Sequence, residues 1–355
     1  MSKHSVFCDY HHGGLYYSLH LLFEKRLKWE LYRPIGLDWF HQGYWKIAEP
    51  YGNAMDTVCQ YLDINSYGWS QFENLNGNYT LSDGIYHIYD RSEDFHQKAI
   101  TLEKFKELDI DIVISSIPSH DITFQKLIKD HKPNATHISQ VGNIYQRSNS
   151  HNVLCSTKPT DALTEQNVIF YHQEFDLNKF SFVPPTSTLT NSKKITSFVI
   201  LLPMRNIYEE YRKTLPEFEF NAYGASCPDG SITGTENVAK IMQQSTFGMH
   251  LKPEGDGFGH IIWNWAFCGR PLIIYGSHYR NKSAEVFLRD GVTCIDIEGL
   301  SIADGASKIR YYSEPERYNR MCHNIYNLAK ENCDFDKEEI EIRKFLSKAI
   351  GTKEL

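Results

Sequence analysis

The residues best suited to chemistry lie in one short stretch, Met249 to His260. It combines a lysine, two carboxylates and two histidines with three glycines at alternate positions. Such glycines let the backbone approach a ligand closely. The apolar run after them predicts a buried helix that begins at this loop, and a helix N-terminus attracts anions. The charged and imidazole residues are His250, Lys252, Glu254, Asp256 and His260, and the glycines are Gly255, Gly257 and Gly259.

The elements that must hold this loop are a strand before it and a helix and a second strand after it. Residues 246–250 predict the first strand and residues 261–268 predict the helix. Gly269 supplies a left-handed helix end, and Pro271 cannot continue the helix. Residues 272–275 then predict the second strand, so the loop belongs to an α/β unit.

The run Asp256-Gly257-Phe258-Gly259, with Asn264 and Gly269-Arg270-Pro271 after it, resembles the motif of the retaining GT-B nucleotide-sugar glycosyltransferases. That family carries an acidic residue, Gly-Phe-Gly, four residues, a second acidic residue and then Gly-x-Pro. Here Asn264 stands where the second acid is expected, and an amide can still bond a hydroxyl as donor and acceptor. The resemblance is strongest over residues 195–330. It implies an α/β fold with two Rossmann-like domains that face each other across a cleft.

The resemblance also implies the chemistry. A nucleotide-diphosphate sugar is the donor substrate, a hexose is transferred with retention, and no metal ion or further cofactor takes part. Asp256 orients the sugar hydroxyls, Asn264 contacts the ribose, and Arg205 and Lys252 contact the diphosphate. The residues expected to bind the donor are Arg205, Lys252, Glu254, Gly257, Phe258, Gly259, His260 and Asn264.

Several of these residues also have simpler interpretations. Lys252 could be a solvated loop lysine and Arg205 a surface residue at a helix start. The histidines that flank the loop, His250 and His260, could be core groups with satisfied hydrogen bonds. The glycine spacing is not the GxGxxG fingerprint of dinucleotide-binding proteins.

A second group of candidate residues follows the first predicted strand, Ser5–Tyr10. The order of strand, loop with two glycines, and helix 15–27 predicts an α/β unit whose ligands gather beyond the carboxyl ends of the strands. His11 and His12 lie in this loop, after Asp9. A histidine there could contact the donor sugar or accept a proton from the acceptor hydroxyl, so His11 and His12 join Asp256 as catalytic candidates. His120 and Asp121 form a further candidate pair.

The domain organisation is predicted from the alternation of strands and helices. The alternation stops in the Pro-containing stretch 183–192 and restarts at residue 195. We therefore expect an N-terminal Rossmann-like acceptor domain over 1–185, a linker over 186–194 and a C-terminal Rossmann-like donor domain over 195–335. Residues 36–80 show no regular spacing of apolar residues that would predict a long helix or a strand. By resemblance, that segment shapes the acceptor site, and the final helix within 336–355 crosses back onto the first domain.

Composition narrows the possible classes of protein. Among 355 residues, 41% are hydrophobic and 23% are charged, which is typical of a globular protein. No run of eighteen apolar residues occurs, so we expect no transmembrane segment and a cytoplasmic location. The eight cysteines form no CxxC pair and are expected to be reduced thiols. A net charge of −7 argues against strong nonspecific binding of nucleic acid.

Other enzyme classes lack their residues. The sequence has no HExxH, Walker or GxSxG motif. The triplet Asp109-Ile110-Asp111 precedes a predicted strand, whereas a metal-binding triplet of this kind follows one. The leading hypothesis is transfer of a sugar to a surface glycan or lipid-linked acceptor. The alternatives are transfer to hydroxymethylated DNA bases, as in phage-type enzymes, and a non-catalytic protein that binds nucleotides or glycans.

Overall fold

The computed structural model describes residues 3–9, 13–35, 39, 79–90, 95–142, 148–157, 166–185, 193–199, 204–224, 227–232 and 234–351. The chain forms two compact units. Unit 1 consists of Met1–Glu174 and Phe335–Leu355, and unit 2 consists of Phe175–Asp334.

The strands are β1 Ser5–Cys8, β2 Glu30–Pro34, β3 Tyr79–Ser82, β4 Ile85–Asp90, β5 Phe95–Ile100, β6 Ile112–Ser115, β7 Thr136–Val141, β8 Asn152–Cys155, β9 Asn167–Phe170, β10 Lys194–Ser197, β11 Glu219–Ala222, β12 Phe247–His250, β13 Leu272–Ile274 and β14 Cys294–Asp296. The α-helices are α1 Gly13–His20, α2 Leu102–Glu107, α3 Asp121–His131, α4 Arg205–Thr214, α5 Thr235–Gln244, α6 His260–Phe267, α7 Ile302–Ser313, α8 Pro315–Asn332 and α9 Phe335–Ile350. A π-helical segment, Leu21–Arg26, continues α1. Short 3₁₀ turns lie at Pro118–His120, Gly276–Tyr279 and Ser283–Val286.

The sheet of unit 1 has nine strands among the described residues, in the order β3-β4-β5-β2-β1-β6-β7-β8-β9. Its strands are parallel except for β4, which is antiparallel to both β3 and β5. Helices cover both faces, because Val6 of β1 packs with Leu15 and Phe345 while Phe7 packs with Phe105 on the other side. Burial on both faces explains why strands such as β6 are continuously apolar.

The sheet of unit 2 is parallel in its described part, with the order β11-β10-β12-β13-β14. Its core contains Tyr208 and Tyr211 of α4 and Ile309 of α7. Helix α6 lies close to β12, since a Cβ atom on Gly248 would come within 2.6 Å of the Trp265 ring. The loop between β12 and α6 is therefore held at both ends by a tightly packed strand and helix.

In both sheets, the strand order reverses next to the first strand of the unit. The reversal lies between β1 and β6 in unit 1 and between β10 and β12 in unit 2. Parallel α/β sheets bind ligands beyond the carboxyl ends of the strands at such a point. A ligand-binding site is therefore expected at the residues that follow Cys8, Ser115, Ser197 and His250.

Most predicted elements are present, but some were missed. Strands β3, β4, β5 and β8 were not predicted. The predicted linker 186–194 lies mostly outside the described residues and stays a prediction, although Lys194 already begins β10. Helix α9 belongs to unit 1, where Ile342, Phe345 and Leu346 enter the core. No helix in the described part of the chain is long and apolar enough to cross a membrane.

Candidate active site

The predicted motif forms the loop between β12 and α6, at the carboxyl edge of the sheet of unit 2. Strand β10 is the parallel neighbour of β12, with Ile195 paired to Phe247. Helix α4 follows β10 and begins at Arg205. The topology therefore directs Arg205 and the motif loop to the same edge of the sheet, on the two sides of the point where the strand order reverses.

The loop turns sharply at Glu254 and Gly255. The N–H of Gly255 donates to the carbonyl oxygen of Lys252 at 3.1 Å. Both Glu254 and Gly255 have left-handed backbones, with φ of 63° and 64°. A Cβ atom at Gly255 would lie 2.2 Å from the carbonyl oxygen of His278, so only glycine fits there. Glu254 is exposed, and its left-handed backbone is uncommon for a residue with a Cβ atom.

Two further contacts fix the loop from the segment that follows β13. Ser283 donates its backbone N–H to the carbonyl oxygen of Gly257 at 2.9 Å. Ser283 also accepts a hydrogen bond from the indole N–H of Trp263 at 3.2 Å. The ring of Phe258 is buried and stacks on that of Trp263, with centroids 5.9 Å apart. Phe258 can therefore reach a ligand through its backbone but not through its ring.

Asp256 is the central polar residue of the loop. Its Oδ1 contacts the ammonium nitrogen of Lys252, and its Oδ2 lies 3.7 Å from Nε2 of His250. The Asp256 side chain is 16% exposed, so it remains accessible to a ligand. Lys252 and Asp256 were expected to bind different parts of the donor, and the structure places them in direct contact.

His250 ends β12 and lies beneath Asp256. It is 1% exposed, and its Nδ1 contacts the hydroxyl of Tyr279. The pKa of His250 is lowered to about 4. Burial is the largest cause, Lys252 and His278 lower the pKa as well, and nearby Asp256 partly opposes them. The imidazole is therefore neutral near pH 7. Burial also raises the pKa of Tyr279, which keeps its hydroxyl protonated.

Asn264 lies in the second turn of α6 and is 5% exposed. Within the described part of the chain, its Oδ1 has no hydrogen-bond donor. A buried acceptor without a donor costs about 1–3 kcal/mol, unless a ligand supplies the missing hydrogen bond. The arrangement suits a bound hydroxyl group.

Helices α4 and α6 begin on the two sides of the site. Gly259, with φ of 78°, precedes α6, and Met204 precedes α4. In the described residues, no side chain caps either helix and neither first turn contains an acidic residue. His260 is the first residue of α6, and its ring packs against Phe258 at 4.9 Å.

Unit 1 has its own polar cluster where β1 and β6 end. The carboxylate of Asp9 accepts hydrogen bonds from Ser116 N at 2.6 Å and Ser116 Oγ at 2.8 Å, and lies 2.5 Å from Nδ1 of His120. Burial raises the pKa of Asp9, but the charge of His120 and the hydrogen bonds from His120 and Ser116 outweigh burial and leave the pKa lowered. His11 and His12, which follow Asp9, lie outside the described residues.

The candidate residues His120 and Asp121 have different hydrogen-bond partners in the described structure. His120 binds Asp9, whereas Asp121 accepts hydrogen bonds from Ser115 Oγ at 2.5 Å and Ser148 Oγ at 2.8 Å. Consecutive residues at a helix start point in different directions, so adjacency in sequence did not indicate contact.

No pattern in the sequence pointed to Tyr279 or Ser283, which lie about 20 to 30 residues beyond the loop. Their position follows from the pairing of β12 with β13, where His250 is opposite Ile274. Parallel neighbours end at the same edge, so residues after Ile274 must lie beside residues after His250.

Comparison with known proteins rests on three-dimensional structure. No protein-family model matches the chain, and no curated protein matches it. Solved structures match over nearly its whole length. They include a glycosyltransferase from Rickettsia africae with a TM-score of 0.61 and 12% identity, covering 99% of this chain and 100% of the other.

Two further similar structures contain ligands. Anabaena Alr3699/HepE in complex with UDP-glucose has a TM-score of 0.59 at 12% identity and covers 97% of this chain and 99% of its own. An α-glucosyltransferase in complex with UDP-glucose and DNA containing an abasic site has a TM-score of 0.57 at 11% identity, with 96% and 98% coverage. The likeness confirms the predicted α/β fold with two Rossmann-like units, the GT-B type.

Proposed function

We propose that this chain transfers a hexose from a nucleotide-diphosphate sugar to an acceptor hydroxyl, with retention of the anomeric configuration. The observation that carries the proposal is the position of Asp256. This accessible carboxylate contacts Lys252 and lies in the loop just before helix α6, whose first turn has no side-chain cap in the described residues. The loop is at the carboxyl edge of a parallel sheet, where α/β folds bind their ligands. Two solved structures of the same fold hold UDP-glucose, which makes a UDP-sugar the first donor to test.

The diphosphate is assigned to Lys252, Arg205 and the two helix starts. Charge accumulates on the diphosphate as the bond to the sugar breaks. Cationic side chains and free backbone N–H groups at helix N-termini stabilise that charge. Helices α4 and α6 supply such ends beside β10 and β12, with no acidic residue in either described first turn to oppose an anion.

The nucleoside and the sugar are assigned to Asn264 and Asp256. Asn264 offers a buried carbonyl oxygen that lacks a donor among the described residues, and a ribose hydroxyl would supply one. Asp256 accepts hydrogen bonds from the sugar hydroxyls while the glycosidic bond breaks. Glu254, Gly257, Phe258, Gly259 and His260 remain proposed donor contacts, with Phe258 acting through its backbone.

Retention is supported by the resemblance of Asp256-Gly-Phe-Gly to the retaining motif. We propose no metal ion in the reaction, because the lysine, arginine and helix ends supply the positive charge that the leaving diphosphate requires. His11 and His12 remain proposed contacts of the sugar or the acceptor hydroxyl.

The proposed acceptor is a glycan or a lipid-linked intermediate. A second candidate is a hydroxymethylated DNA base, because one of the similar structures contains DNA. The net charge of −7 favours the first candidate, since affinity for DNA comes largely from neutralised phosphates. The third possibility is a protein that binds nucleotide sugars without catalysis. Such a protein would differ from an enzyme in that it neither hydrolyses the donor nor transfers its sugar.

The test begins with thermal shifts of the purified chain in a panel of nucleoside diphosphates and nucleotide sugars. A stabilising sugar nucleotide is then incubated with the protein, and release of free sugar is followed by proton NMR of the anomeric signal. We expect slow hydrolysis that first gives the anomer of the donor. Stabilisation without any hydrolysis or transfer would favour the non-catalytic protein, and initial release of the opposite anomer would contradict retention.

The acceptor is tested by transfer of radiolabelled sugar to three substrates in parallel: an oligosaccharide mixture, a membrane lipid extract and duplex DNA that carries hydroxymethylcytosine. Label in the oligosaccharide or lipid fraction is expected. Label in DNA that decreases steeply with added salt would establish the second candidate instead.

A further inference from the structure

We propose that His250 is a positioning residue for Asp256, held by Tyr279 with its proton on Nε2 and presenting that N–H to Oδ2 of the carboxylate. The inference rests on the proposed function, in which Asp256 binds the sugar. It adds two residues, His250 and Tyr279, that the resemblance to the GT-B motif does not include.

The position of the proton follows from the contacts of the phenol group. The hydroxyl oxygen of Tyr279 contacts Nδ1 of His250 and also lies 3.3 Å from the carbonyl oxygen of His250. A phenol has one proton and a neutral imidazole has one. If Tyr279 donates to Nδ1, which is the shorter contact, the imidazole proton must be on Nε2.

The opposite tautomer is disfavoured by Asp256. With the proton on Nδ1, the bare Nε2 lone pair would face Oδ2 of Asp256 at 3.7 Å, and two acceptors would oppose each other in a buried site. With the proton on Nε2, an N–H faces a carboxylate oxygen. No other described residue pairs with Nε2, so Asp256 is the acceptor available to it.

The surroundings of His250 keep its imidazole neutral, so its contact with Asp256 is a hydrogen bond and not an ion pair. The groups that face the imidazole are Asp256, Lys252, His278 and the Tyr279 hydroxyl. Burial, Lys252 and His278 oppose a positive imidazole, and Asp256 alone favours it. His250 can therefore hold the carboxylate without neutralising it.

The arrangement gives each carboxylate oxygen a different donor. In the absence of ligand, Oδ1 contacts the flexible Lys252 side chain, and Oδ2 faces the imidazole fixed at the end of β12. When a diphosphate attracts the Lys252 ammonium group, Asp256 loses its mobile partner. His250 then keeps the carboxylate directed at the sugar, and a rotation of the carboxyl group shortens the 3.7 Å separation to a hydrogen bond.

Two substitutions of the same histidine separate this role from simple packing. The amide nitrogen of glutamine in His250→Gln can occupy the position of Nε2, whereas the amide in His250→Asn reaches only the position of Nδ1. The first variant keeps the donor to Asp256, and the second keeps the contact with Tyr279. Circular dichroism and thermal unfolding are recorded for both variants.

The kinetic readout is kcat for hydrolysis of UDP-glucose, together with the Kd for UDP measured by calorimetry. We expect His250→Gln to stay within about fivefold of the parent kcat and His250→Asn to lose about tenfold to a hundredfold, the effect of one hydrogen bond to a charged group. UDP affinity should change less than about threefold in both, because the contact acts in the transition state. Equal activity of the two variants, or higher activity of His250→Asn, would overturn the proposal.

A spectroscopic test does not depend on turnover. Nitrogen-15 spectra of the ligand-free chain, compared with those of His250→Gln, assign the side-chain signals of His250 among the 16 histidines. We expect Nε2 to carry the proton at pH 7, and Tyr279→Phe to weaken that preference. A proton on Nδ1 in the parent would refute the proposal even if UDP-glucose is hydrolysed. Failure to bind or hydrolyse any nucleotide sugar would refute the proposed function and leave the tautomer result standing.

Discussion

The ammonium nitrogen of Lys252 contacts Oδ1 of Asp256, four residues further along the same loop. The proposed function gives these residues different tasks, since Lys252 binds the diphosphate and Asp256 binds the sugar. In the absence of ligand they neutralise each other. A donor must therefore compete with this ion pair. Binding of the diphosphate by Lys252 and binding of the sugar by Asp256 are coupled as a result.

The coupling predicts a non-additive double-mutant cycle. Lys252→Ala should weaken binding of UDP by about 1.5–3 kcal/mol, the value of a charge-assisted hydrogen bond, and should leave uridine binding nearly unchanged. Asp256→Asn weakens the ion pair that competes with phosphate for Lys252. The loss of UDP binding free energy caused by Lys252→Ala should therefore differ by about 0.5 kcal/mol or more between the Asp256→Asn variant and the parent protein. Calorimetry of the four proteins measures the difference.

The control for this cycle is Lys240→Ala, which removes an exposed lysine paired with Glu236 on helix α5. An exposed pair of this kind contributes little, so UDP binding should not change. Arg205→Ala should weaken UDP binding by a similar amount to Lys252→Ala. Equal losses for uridine and UDP would show that Lys252 supports the fold or the base pocket and does not bind phosphate.

Asp256→Asn by itself should lower turnover far more than nucleotide affinity. The amide keeps the shape of the side chain but loses the charged acceptor for the sugar hydroxyls. An interaction made chiefly in the transition state appears in kcat, and we expect a loss of about tenfold to a hundredfold. Steady-state kinetics with the donor identified in the thermal-shift screen measures this.

Two substitutions provide the contrast to Asp256→Asn. Glu254→Gly fits the left-handed backbone at φ 63° and tests the exposed carboxylate without straining the turn. Asn264→Glu should change donor affinity and leave the chemical step nearly intact. If Asp256→Asn turned over like the parent protein, Asp256 could not be the residue that holds the sugar.

Asn264 should show opposite effects on stability and binding. In Asn264→Leu, an apolar side chain of similar size replaces a buried amide whose Oδ1 lacks a donor in the described structure. Removing such a group should leave the free energy of unfolding unchanged or raise it by about 1–2 kcal/mol. Affinity for UDP should decrease by about tenfold. A variant that loses stability and keeps its UDP affinity would show that the amide is structural.

The sequence predicts the fold well wherever a strand is continuously apolar. Strands β6 and β12 and helix α6 lie where their patterns place them, because each is buried on the side or sides that its pattern marks. Strand β8 was missed, although its last three residues are buried. The antiparallel β3 is exposed along its length, so its apolar residues Tyr79 and Leu81 do not mark a buried face.

The motif loop was located correctly from its glycines, but its contacts could not be predicted. The close approach of Gly255 to His278 and the support from Ser283 and Tyr279 depend on the pairing of β12 with β13. Spacing within the loop also does not reveal that Lys252 turns back onto Asp256. These features depend on side-chain directions that a sequence pattern does not encode.

In unit 1, Asp9 should be important for stability. It is buried and binds Ser116 and His120 at the ends of two adjacent strands. Asp9→Ala leaves these groups without their acceptor and should cost about 3–5 kcal/mol, as for a broken buried ion pair. Hydrogen exchange at the amides of β1 and β6 measures the loss. Asp130→Ala, at an exposed pair with Lys126, should change stability by less than about 1 kcal/mol, and an equal effect of the two substitutions would contradict the assignment.

The low pKa of His250 predicts how the stability of unit 2 depends on pH. Above the ordinary histidine pKa of about 6.5, neither the folded nor the unfolded chain binds a proton at this residue. Between pH 6.5 and the folded value of about 4, only the unfolded chain binds one, so acid favours unfolding. This contribution is fully present above pH 6.5 and is lost as the pH falls to about 4.

The pH dependence can be isolated by comparing the parent with His250→Gln, which binds no proton at this position. Between pH 7 and pH 4, the free energy of unfolding of the parent should fall relative to the variant by about 3 kcal/mol, at about 1.4 kcal/mol for each pH unit below 6.5. Other titrating groups cancel in the difference. Hydrogen exchange at the amides of β12, corrected for the intrinsic rate at each pH, reports the opening of unit 2. A difference that stays constant across this range would mean that His250 binds its proton equally well in the folded chain, and the neutral imidazole beneath Asp256 would have to be abandoned.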